Sequence, residues 1–455
     1  RHTPIFSTFF SKSQLLFAHL IKKSYLCSDL RSEPWNKTLT KTLLHINFMN
    51  ERLIVKSFGP VKDLDIVFKS VTIFVGDQGT GKSCVAKLFS MFKWLEKVLV
   101  MQRQKLSYYE QYNRFSTMLC KYHRIESFLN EETYIRFEGE KYVFEYDNLK
   151  FHITDTGRAI TSLSKIIYIP AERTILSVAE NKSRLLKELP DSCDTFHDEF
   201  GDAKYAYKGG YDLPFGELHY EYDVLNDISK IYGKGYEKHP IRLTHASSGI
   251  QSALPLCLVS EYLSNKILEK EEIKLSKEDR DKMEKEIAEI MRNEDYTASV
   301  KEMMLKQMSS LNRYGCFINI TEEPELNLFP KSQLGVIKSL VKDNNKARNN
   351  QLIITTHSPY TLAIFNLIIL ASKVHEKGNL EIKTYVEQIL PTEYHINTKD
   401  FIAYALNIDD TEREYCVTIT SENTGMIAKN DLDSVSEIIS KDFNKLYRLY
   451  GETFK

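Results

Sequence analysis

The sequence predicts an α/β protein with a mixed, largely parallel sheet, and three observations support this prediction. A short apolar run at residues 71–75 leads through a glycine-rich turn into an apolar stripe with helical spacing. Two later apolar runs, residues 316–321 and 352–355, have the length and composition of buried strands. The amphipathic segment 332–341 lies between them. Strands that alternate with helices in this way are typical of parallel sheets covered by helices.

Composition narrows the class of protein. Of the 455 residues, 42% are hydrophobic and 27% are charged, as in ordinary soluble globular proteins. The formal net charge of −1 provides no overall basic field for nucleic acid or membrane binding. Seven cysteines without paired spacing indicate a reducing compartment and neither a disulfide framework nor a zinc site. The longest apolar run, near residues 361–371, is shorter than the ~20 residues that span a bilayer. We expect a cytoplasmic protein with no membrane partner.

The folded part is predicted to begin near Met49. Residues 1–48 show no clear periodicity, and we interpret them as an N-terminal extension that is flexible or not native. Residues 53–58 and 64–68 then read as strands on either side of a Gly59-Pro60 turn. After the helix that follows residue 83, residues 105–130 are predicted to form a second helix. Further strands are expected at 133–137, 141–146, 149–153 and 166–169.

Two insertions interrupt the predicted domain 49–455. Residues 175–240 combine a helical piece with a glycine- and tyrosine-rich part that we leave unassigned. Residues 265–313 form a charged helical insertion in which Met283, Ile287 and Ile290 keep an apolar stripe. This insertion is either a solvated helix or a shortened arm of about 30 Å similar to the coiled coils of SMC-like proteins. Residues 376–455 are predicted to complete the domain with two or three short strands and a helix at 432–449.

The segment GDQGTGKS at residues 76–83 has the spacing of a phosphate-binding loop. Glycines allow consecutive backbone N–H groups to surround phosphates, and the Lys82 ammonium adds a positive charge. The Ser83 hydroxyl is suited to Mg²⁺, and the helix that follows points its positive end at the anion. We therefore predict an ATP·Mg²⁺ site. Its ATP-binding residues are Gly76, Gln78, Gly79, Thr80, Gly81, Lys82, Ser83 and Cys84.

Two further strand ends carry groups suited to hydrolysis. The strand 317–321 runs into Glu322-Glu323, and we assign Glu322 to the metal and Glu323 to the general base that deprotonates water. The strand 352–355 runs into Thr356-His357-Ser358. We interpret His357 as a group that contacts the γ-phosphate or polarises Glu323, because ligands bind at the carboxyl ends of strands in such sheets. An acidic loop and a structural histidine are the alternatives.

A third element is the segment ASSGIQS at residues 246–252, which precedes an apolar helix. A serine at the N-cap followed by glycine provides a hydroxyl and bare backbone N–H groups, which suit an anion. Any capped helix has these features, so this signal is weak alone.

Taken in order, GDQGTGKS, SSGIQS, ITEEPELNLFP and TTHSP resemble the Walker A, signature, Walker B and switch-histidine motifs of ABC-type ATPase heads. The subgroup most similar is the AAA-15/AAA-21 type of the OLD and RecF/SMC-like group, which also has a segment like YIPAER at 168–173. The chain departs from it at three positions. Cys84 replaces a second hydroxyl, and Asn327 and Phe329 stand where histidines are common. The region near Arg173 is the expected Q-loop, although no glutamine marks it.

The resemblance implies a P-loop head that forms a homodimer, or a higher oligomer built on head dimers. Ser248, Gly249 and Gln251 of one subunit would then contact the nucleotide bound by Lys82 of the other. Asp431-Leu432-Asp433 has the letters of a Toprim nuclease motif, but too few residues follow it for that fold. We therefore expect an ATPase without its own nuclease, working with a separately encoded effector such as a nuclease, in a DNA-related or anti-phage task. There are three alternatives. The first is a DNA-repair ATPase of RecF/SMC type, which would also bind nucleic acid. The others are a transporter ATPase and a slowly hydrolysing scaffold.

Overall fold

The computed structural model describes residues 51–101, 103–160, 162–178, 188–270, 273, 277–310, 312–407, 414–428 and 431–452. The predicted extension 1–48 lies outside the described residues. The strands, in chain order, are β1 (Arg52–Phe58), β2 (Val61–Val67), β3 (Val71–Gly76), β4 (Tyr134–Glu138), β5 (Tyr142–Asp147), β6 (Lys150–Asp155), β7 (Leu163–Ile169), β8 (Tyr211–Asp212), β9 (His219–Asp223), β10 (Ile228–Tyr232), β11 (Ile241–Arg242), β12 (Tyr314–Glu322), β13 (Gln351–Thr356), β14 (Phe401–Leu406) and β15 (Cys416–Thr418).

Helices connect and cover these strands. In chain order they are α1 (Lys82–Val100), α2 (Leu106–Glu110), α3 (Thr174–Val178), α4 (Asp191–Ala206), α5 (Ser248–Leu268), α6 (Lys277–Arg292), α7 (Ala298–Ser310), α8 (Pro330–Asn345), α9 (Pro359–Lys377), α10 (Leu380–Ile389) and α11 (Asp431–Glu452).

A six-stranded central sheet in the order β15-β14-β3-β13-β12-β7 organises the molecule. All its neighbouring pairs are parallel except β14 with β15, which is antiparallel. The predicted α/β class with a mixed, largely parallel sheet is therefore confirmed. In the register of the sheet, Glu322 pairs with Thr355 and Thr356 with Val75. The carboxyl ends of β3, β13 and β12 consequently meet at one edge, which is where such sheets bind ligands.

Helix α1 lies between the central sheet and a second, antiparallel sheet in the order β2-β1-β4-β5-β6. Phe89 of α1 stacks on Phe68, with ring centroids 4.0 Å apart, and Phe92 stacks on Phe137 at 5.2 Å. Stacked aromatic pairs of this kind add to the free energy gained by burying their area. The packing fixes the helix that starts at the phosphate loop. On the other face of the central sheet, α5, α8 and α9 pack over a second core.

The predicted helix over residues 105–130 is wrong. This stretch contains the short α2, a π-helical turn at Phe115–Cys120 and a 3₁₀ turn at Glu126–Phe128. The helix cannot continue because Tyr112 and Asn113 have φ angles of 55° and 52°. The break turns Phe115 toward the antiparallel sheet, where its ring lies 4.5 Å from that of Phe151. Tertiary packing thus overrides the local helical pattern.

The two insertions have distinct structures. Residues 191–242 form α4, in the insertion for which a helical piece was predicted, and a small antiparallel sheet in the order β11-β10-β9-β8. Phe196 and Phe200 of α4 are buried in the same core as α5. In the charged insertion, α6 and α7 follow one another and contact each other. With 16 residues, α6 is about 24 Å long.

Candidate nucleotide-binding site

The phosphate loop joins β3 to α1 as the sequence predicts. Gly76, Gly79 and Gly81 all have positive φ angles, which only glycine adopts without strain. The Lys82 ammonium lies inside the loop and donates to the carbonyls of Gly76 at 2.9 Å and Asp77 at 2.7 Å. Burial lowers the pKa of Lys82 to about 8, against the opposing effect of nearby carboxylates, of which Glu323 is the strongest. A cation inside a glycine-rich loop at a helix N-terminus is an arrangement that suits phosphates.

The other predicted ATP-binding residues surround this cation. Thr80 is buried and donates from its hydroxyl to the Asp77 carbonyl at 2.9 Å, whereas Gln78 and Gly79 are exposed. Ser83 and Cys84 lie in the first turn of α1, and burial raises the pKa of the Cys84 thiol to about 11. Cys84 therefore packs as a small apolar residue at this position.

Close packing behind the loop explains the need for glycine at position 81. A Cβ atom there would lie 2.8 Å from the Tyr415 hydroxyl and 2.8 Å from a Val61 methyl group. Tyr415 also donates from its hydroxyl to the carbonyl of Thr80. Sequence analysis missed this contact because Tyr415 is more than 300 positions away and belongs to no motif.

The two acidic residues at the end of β12, Glu322 and Glu323, occupy different environments. Glu322 is buried and accepts a hydrogen bond from Ala171 N at 3.2 Å through Oε2. Glu323 is a third exposed and has a φ angle of 42°, which is strained for a residue other than glycine. Its N–H donates to the Thr355 carbonyl at 2.9 Å, which fixes it beside β13. One carboxylate is thus held inside the fold, and the other reaches the open edge of the sheet.

The structure brings His357 and Glu323 together. His357 Nε2 lies 3.6 Å from Glu323 Oε1, and the two groups attract each other electrostatically when the imidazole is protonated. Partial burial and the Lys82 ammonium lower the pKa of His357, although the Glu323 carboxylate opposes this effect. A neutral imidazole at this position can donate a hydrogen bond from one ring nitrogen and accept one at the other.

Glu325 holds the loop that carries His357. Its Oε1 accepts hydrogen bonds from the Thr356 hydroxyl at 2.7 Å and from His357 N at 2.8 Å. Burial raises the pKa of this carboxyl group, while the two hydrogen bonds favour its charged form. The EEPE sequence therefore supplies an anchor for the neighbouring strand end in addition to the two carboxylates assigned from sequence.

The predicted signature residues start α5. Ser248 is its first residue, and Gly249 packs so closely that an added Cβ would lie 2.7 Å from the carbonyl oxygen of Asn327. The buried Gln251 donates from its amide to the carbonyls of Leu243 at 3.1 Å and Thr244 at 3.0 Å. Gln251 thus stabilises the turn before α5 within its own chain, and its contact with a partner's nucleotide stays a prediction.

Arg173 is the residue whose role the sequence did not reveal. Its guanidinium is completely buried and donates to the backbone carbonyls of Pro170, Ser252, Glu322 and Glu323 at 2.6–3.1 Å. Burial lowers the pKa of Arg173 to about 10, and three nearby carboxylates oppose this effect. The arginine thereby ties the end of β12 to α5. The one signal for this role in the sequence was the position of Arg173 just after a buried strand, in the segment YIPAER.

The residues assigned to Mg²⁺ fit a hard cation. Glu322 Oε1 is buried and has no hydrogen-bond partner of good geometry among the described residues. A buried carboxylate oxygen of this kind is poised for a bound ion or its water. Ser83 offers a hydroxyl from the first turn of α1. The assignment of Ser83 and Glu322 to the metal therefore agrees with the chemistry of these groups and stays a prediction.

Residues 162–362 match the family model of an AAA ATPase domain of the AAA-15 type. The match spans the signature, Walker B and switch-histidine segments, and it confirms the resemblance that the motifs predict. No protein with curated annotation matches the chain. None of the helices in the described part of the chain is long and apolar enough to cross a membrane.

Solved structures similar to this chain include SMC and RecF proteins. The SMC head domain from Thermotoga maritima is 13% identical with a TM-score of 0.30, covering 70% of this chain and 92% of that chain. The Smc head domain with an extended coiled coil, bound to the C-terminal domain of ScpA derived from Pyrococcus furiosus, is 11% identical with a TM-score of 0.33, covering 86% and 98%. The recombination mediator protein RecF of the RecFOR pathway is 12% identical with a TM-score of 0.25, covering 69% and 94%.

Proposed function

We propose that this chain hydrolyses ATP at a composite site formed by two heads, with the signature turn of one head closing the nucleotide site of the other. The observation that supports this best is the meeting of Lys82, Glu323 and His357 at one sheet edge. His357 Nε2 lies 3.6 Å from Glu323 Oε1, and the Lys82 ammonium is near enough to influence both groups, which supports a shared site. The start of α5 packs at Gly249 against the carbonyl of Asn327, which belongs to the loop that follows Glu323.

Each residue then has a chemical task. Lys82 binds the β- and γ-phosphates, and Glu323 accepts a proton from the attacking water at Oε1. His357 lies within reach of that carboxylate and orients it or contacts the γ-phosphate. Ser83 and Glu322 would hold Mg²⁺, which when bound neutralises phosphate charge. Ser248 and Gly249 add a hydroxyl and free backbone N–H groups from the partner head.

The biological task proposed is control of a separately encoded effector, such as a nuclease, by ATP-driven dimerisation in a DNA-related or anti-phage process. This part rests on the resemblance of the EEPE, SSGIQS and YIPAER segments to OLD and RecF/SMC-like ATPases. A soluble protein of the cytoplasm fits that task.

Glu323→Gln tests the composite site. The amide cannot accept a proton from water, so this variant should bind ATP, hydrolyse it very slowly and accumulate as an ATP-bound dimer. Adding Ser248→Arg places a bulky cation at the subunit contact and should return the protein to a monomer that still binds ATP. Light scattering with ATP and Mg²⁺ measures both masses. Equal masses for the two variants, with and without nucleotide, would contradict the composite site.

A further inference from the structure

Helix α5 contains a proline one turn after its signature residues. Pro255 has no N–H, so the carbonyl four residues earlier, that of Gln251, lacks its usual donor within the helix. That carbonyl instead accepts a hydrogen bond of 2.7 Å from the Ser177 hydroxyl, which is buried in α3. The first turn of α5 is therefore held partly from outside the helix.

The next carbonyl of the same turn is also held from outside. Ser252 O accepts a hydrogen bond of 3.0 Å from Arg173 Nε. The other nitrogens of Arg173 donate to the carbonyls of Glu322 at 2.7 Å and Glu323 at 2.6 Å. One guanidinium thus joins the signature turn directly to the backbone of the metal-binding and catalytic residues.

Arg173 and Ser177 lie four positions apart on one short segment. The 3₁₀ turn Ala171–Arg173 runs directly into α3, so both side chains belong to one continuous unit. This unit begins at the end of β7, where Ala171 N donates to Glu322 Oε2 at 3.2 Å. A shift of the Glu322–Glu323 backbone would therefore be passed to α5 through two side-chain contacts, those of Arg173 with Ser252 O and of Ser177 with Gln251 O.

We propose that Arg173 and Ser177 are positioning residues that link the two composite ATP sites. They set the first turn of α5, which closes the partner's site, according to the state of Glu322 and Glu323 in their own site. Pro255 makes this possible because it releases the turn from the rest of the helix. The proposal rests on the proposed function, since only a signature turn used in trans connects two sites.

A double-mutant cycle tests the link, and all its variants carry Glu323→Gln so that hydrolysis does not interfere. Ser177→Ala removes the outside donor and should weaken ATP-dependent dimerisation about tenfold, measured by sedimentation over a range of protein concentrations. Pro255→Ala restores a helical N–H to the Gln251 carbonyl. In that background Ser177→Ala should change dimerisation less than twofold.

Arg173→Lys tests the other half of the link. Lysine keeps the charge but has no planar fork with which to span carbonyls of two elements. Dimerisation should weaken at least tenfold, with or without Pro255→Ala, because a helical N–H does not replace contacts with Glu322 and Glu323.

ATP affinity of the monomeric Ser248→Arg head should change less than twofold when Ser177→Ala is added.

Ser70→Ala is the matched control. Its hydroxyl donates to the Asn350 carbonyl at 3.0 Å next to the start of β3, at the opposite edge of the sheet. This change should not alter dimerisation. If Glu323→Gln does not dimerise with ATP, the proposed function is wrong. If it dimerises but Ser177→Ala has the same effect with proline or alanine at 255, or no effect, the link is wrong.

Discussion

At the residue scale, the site depends on a few side chains whose partners are mostly backbone groups. Lys82 and Arg173 both donate to carbonyls, and Glu325 accepts from a main-chain N–H. Bonds that involve a charged group are stronger than neutral ones, typically about 1.5–3 kcal/mol. Single substitutions at these positions are therefore expected to have measurable and different effects on ATP affinity and on the rate of ATP hydrolysis.

Lys82→Ala should remove the main charged contact with the phosphates. ATP affinity should fall by about tenfold or more, measured by calorimetric titration. Lys69→Ala is a matched control because Lys69 also donates to a backbone carbonyl, that of Phe401 at 3.2 Å, but at the amino end of β3. Unchanged affinity in Lys82→Ala would show that this loop does not bind the nucleotide.

Thr356→Val should separate catalysis from stability. It removes the hydroxyl that donates to Glu325 and so loosens the loop carrying His357. We expect kcat to fall several-fold while ATP affinity is retained, with a loss of about 1 kcal/mol of unfolding free energy. Thr72→Val, a buried threonine of β3 bonded to Lys69, should cost similar stability in urea unfolding. Its kcat should not change; an equal fall in both variants would indicate a purely structural role for Thr356.

At the element scale, the start of β1 is fixed by a buried ion cluster. Lys93 of α1 is only 3% exposed and pairs with Glu51, with Glu96 at 3.1 Å and with Glu140 at 3.3 Å. Gln351 of β13 donates to the same Glu51 carboxylate at 2.9 Å. The cluster thus joins β1, α1 and the central sheet. Glu51 therefore stabilises the described fold through its contacts with Lys93 and Gln351.

A chain that lacks residues 1–48 should fold and hydrolyse ATP as the full chain does. Its melting temperature should stay within a few degrees, and a large decrease would show that those residues pack on the core. Glu51→Ala in the shortened chain is the contrasting variant. It removes one of the carboxylates that pair with the buried Lys93 ammonium. The free energy of unfolding, measured in urea, should therefore fall by about 3 kcal/mol.

At the scale of the whole molecule, each chain carries both halves of the proposed composite site. Lys82 and Glu323 belong to one half, and Ser248 with Gly249 begins the other. A symmetric pair of heads would contain two such sites, because an interface with twofold symmetry uses both surfaces of each subunit.

Mixing two inactive variants tests this reciprocity. Glu323→Gln lacks the base, and Ser248→Arg blocks the signature surface. A mixed dimer carries the added cation at one of its two signature contacts instead of both. Its head with Ser248→Arg keeps its own base and receives an intact signature turn from its partner. The equimolar mixture should therefore hydrolyse ATP several-fold faster than the sum of the two variants alone. A rate equal to that sum would argue that each head works by itself.

Local patterns in the sequence were enough to predict the α/β class, most strand positions and the phosphate loop. These features depend on local patterns: short continuous apolar runs of strand length, glycines at fixed spacing, and a helix that must follow the loop. The glutamates after β12 and the histidine after β13 could also be placed at a common edge, because parallel strands align their carboxyl ends.

The way in which these groups are held depends on contacts between distant parts of the chain, which local patterns do not reveal. The Arg173 contacts join residues up to 150 positions apart in the chain, and the Tyr415 hydroxyl reaches the loop from β15's side of the sheet. Such contacts have no periodic signature, because they depend on which strands become neighbours. The same reason explains why the helix predicted at 105–130 is wrong. Phe115 packs against Phe151 of β6, a strand that comes later in the chain. Burial of the Phe115 ring outweighs the weak local helix propensity.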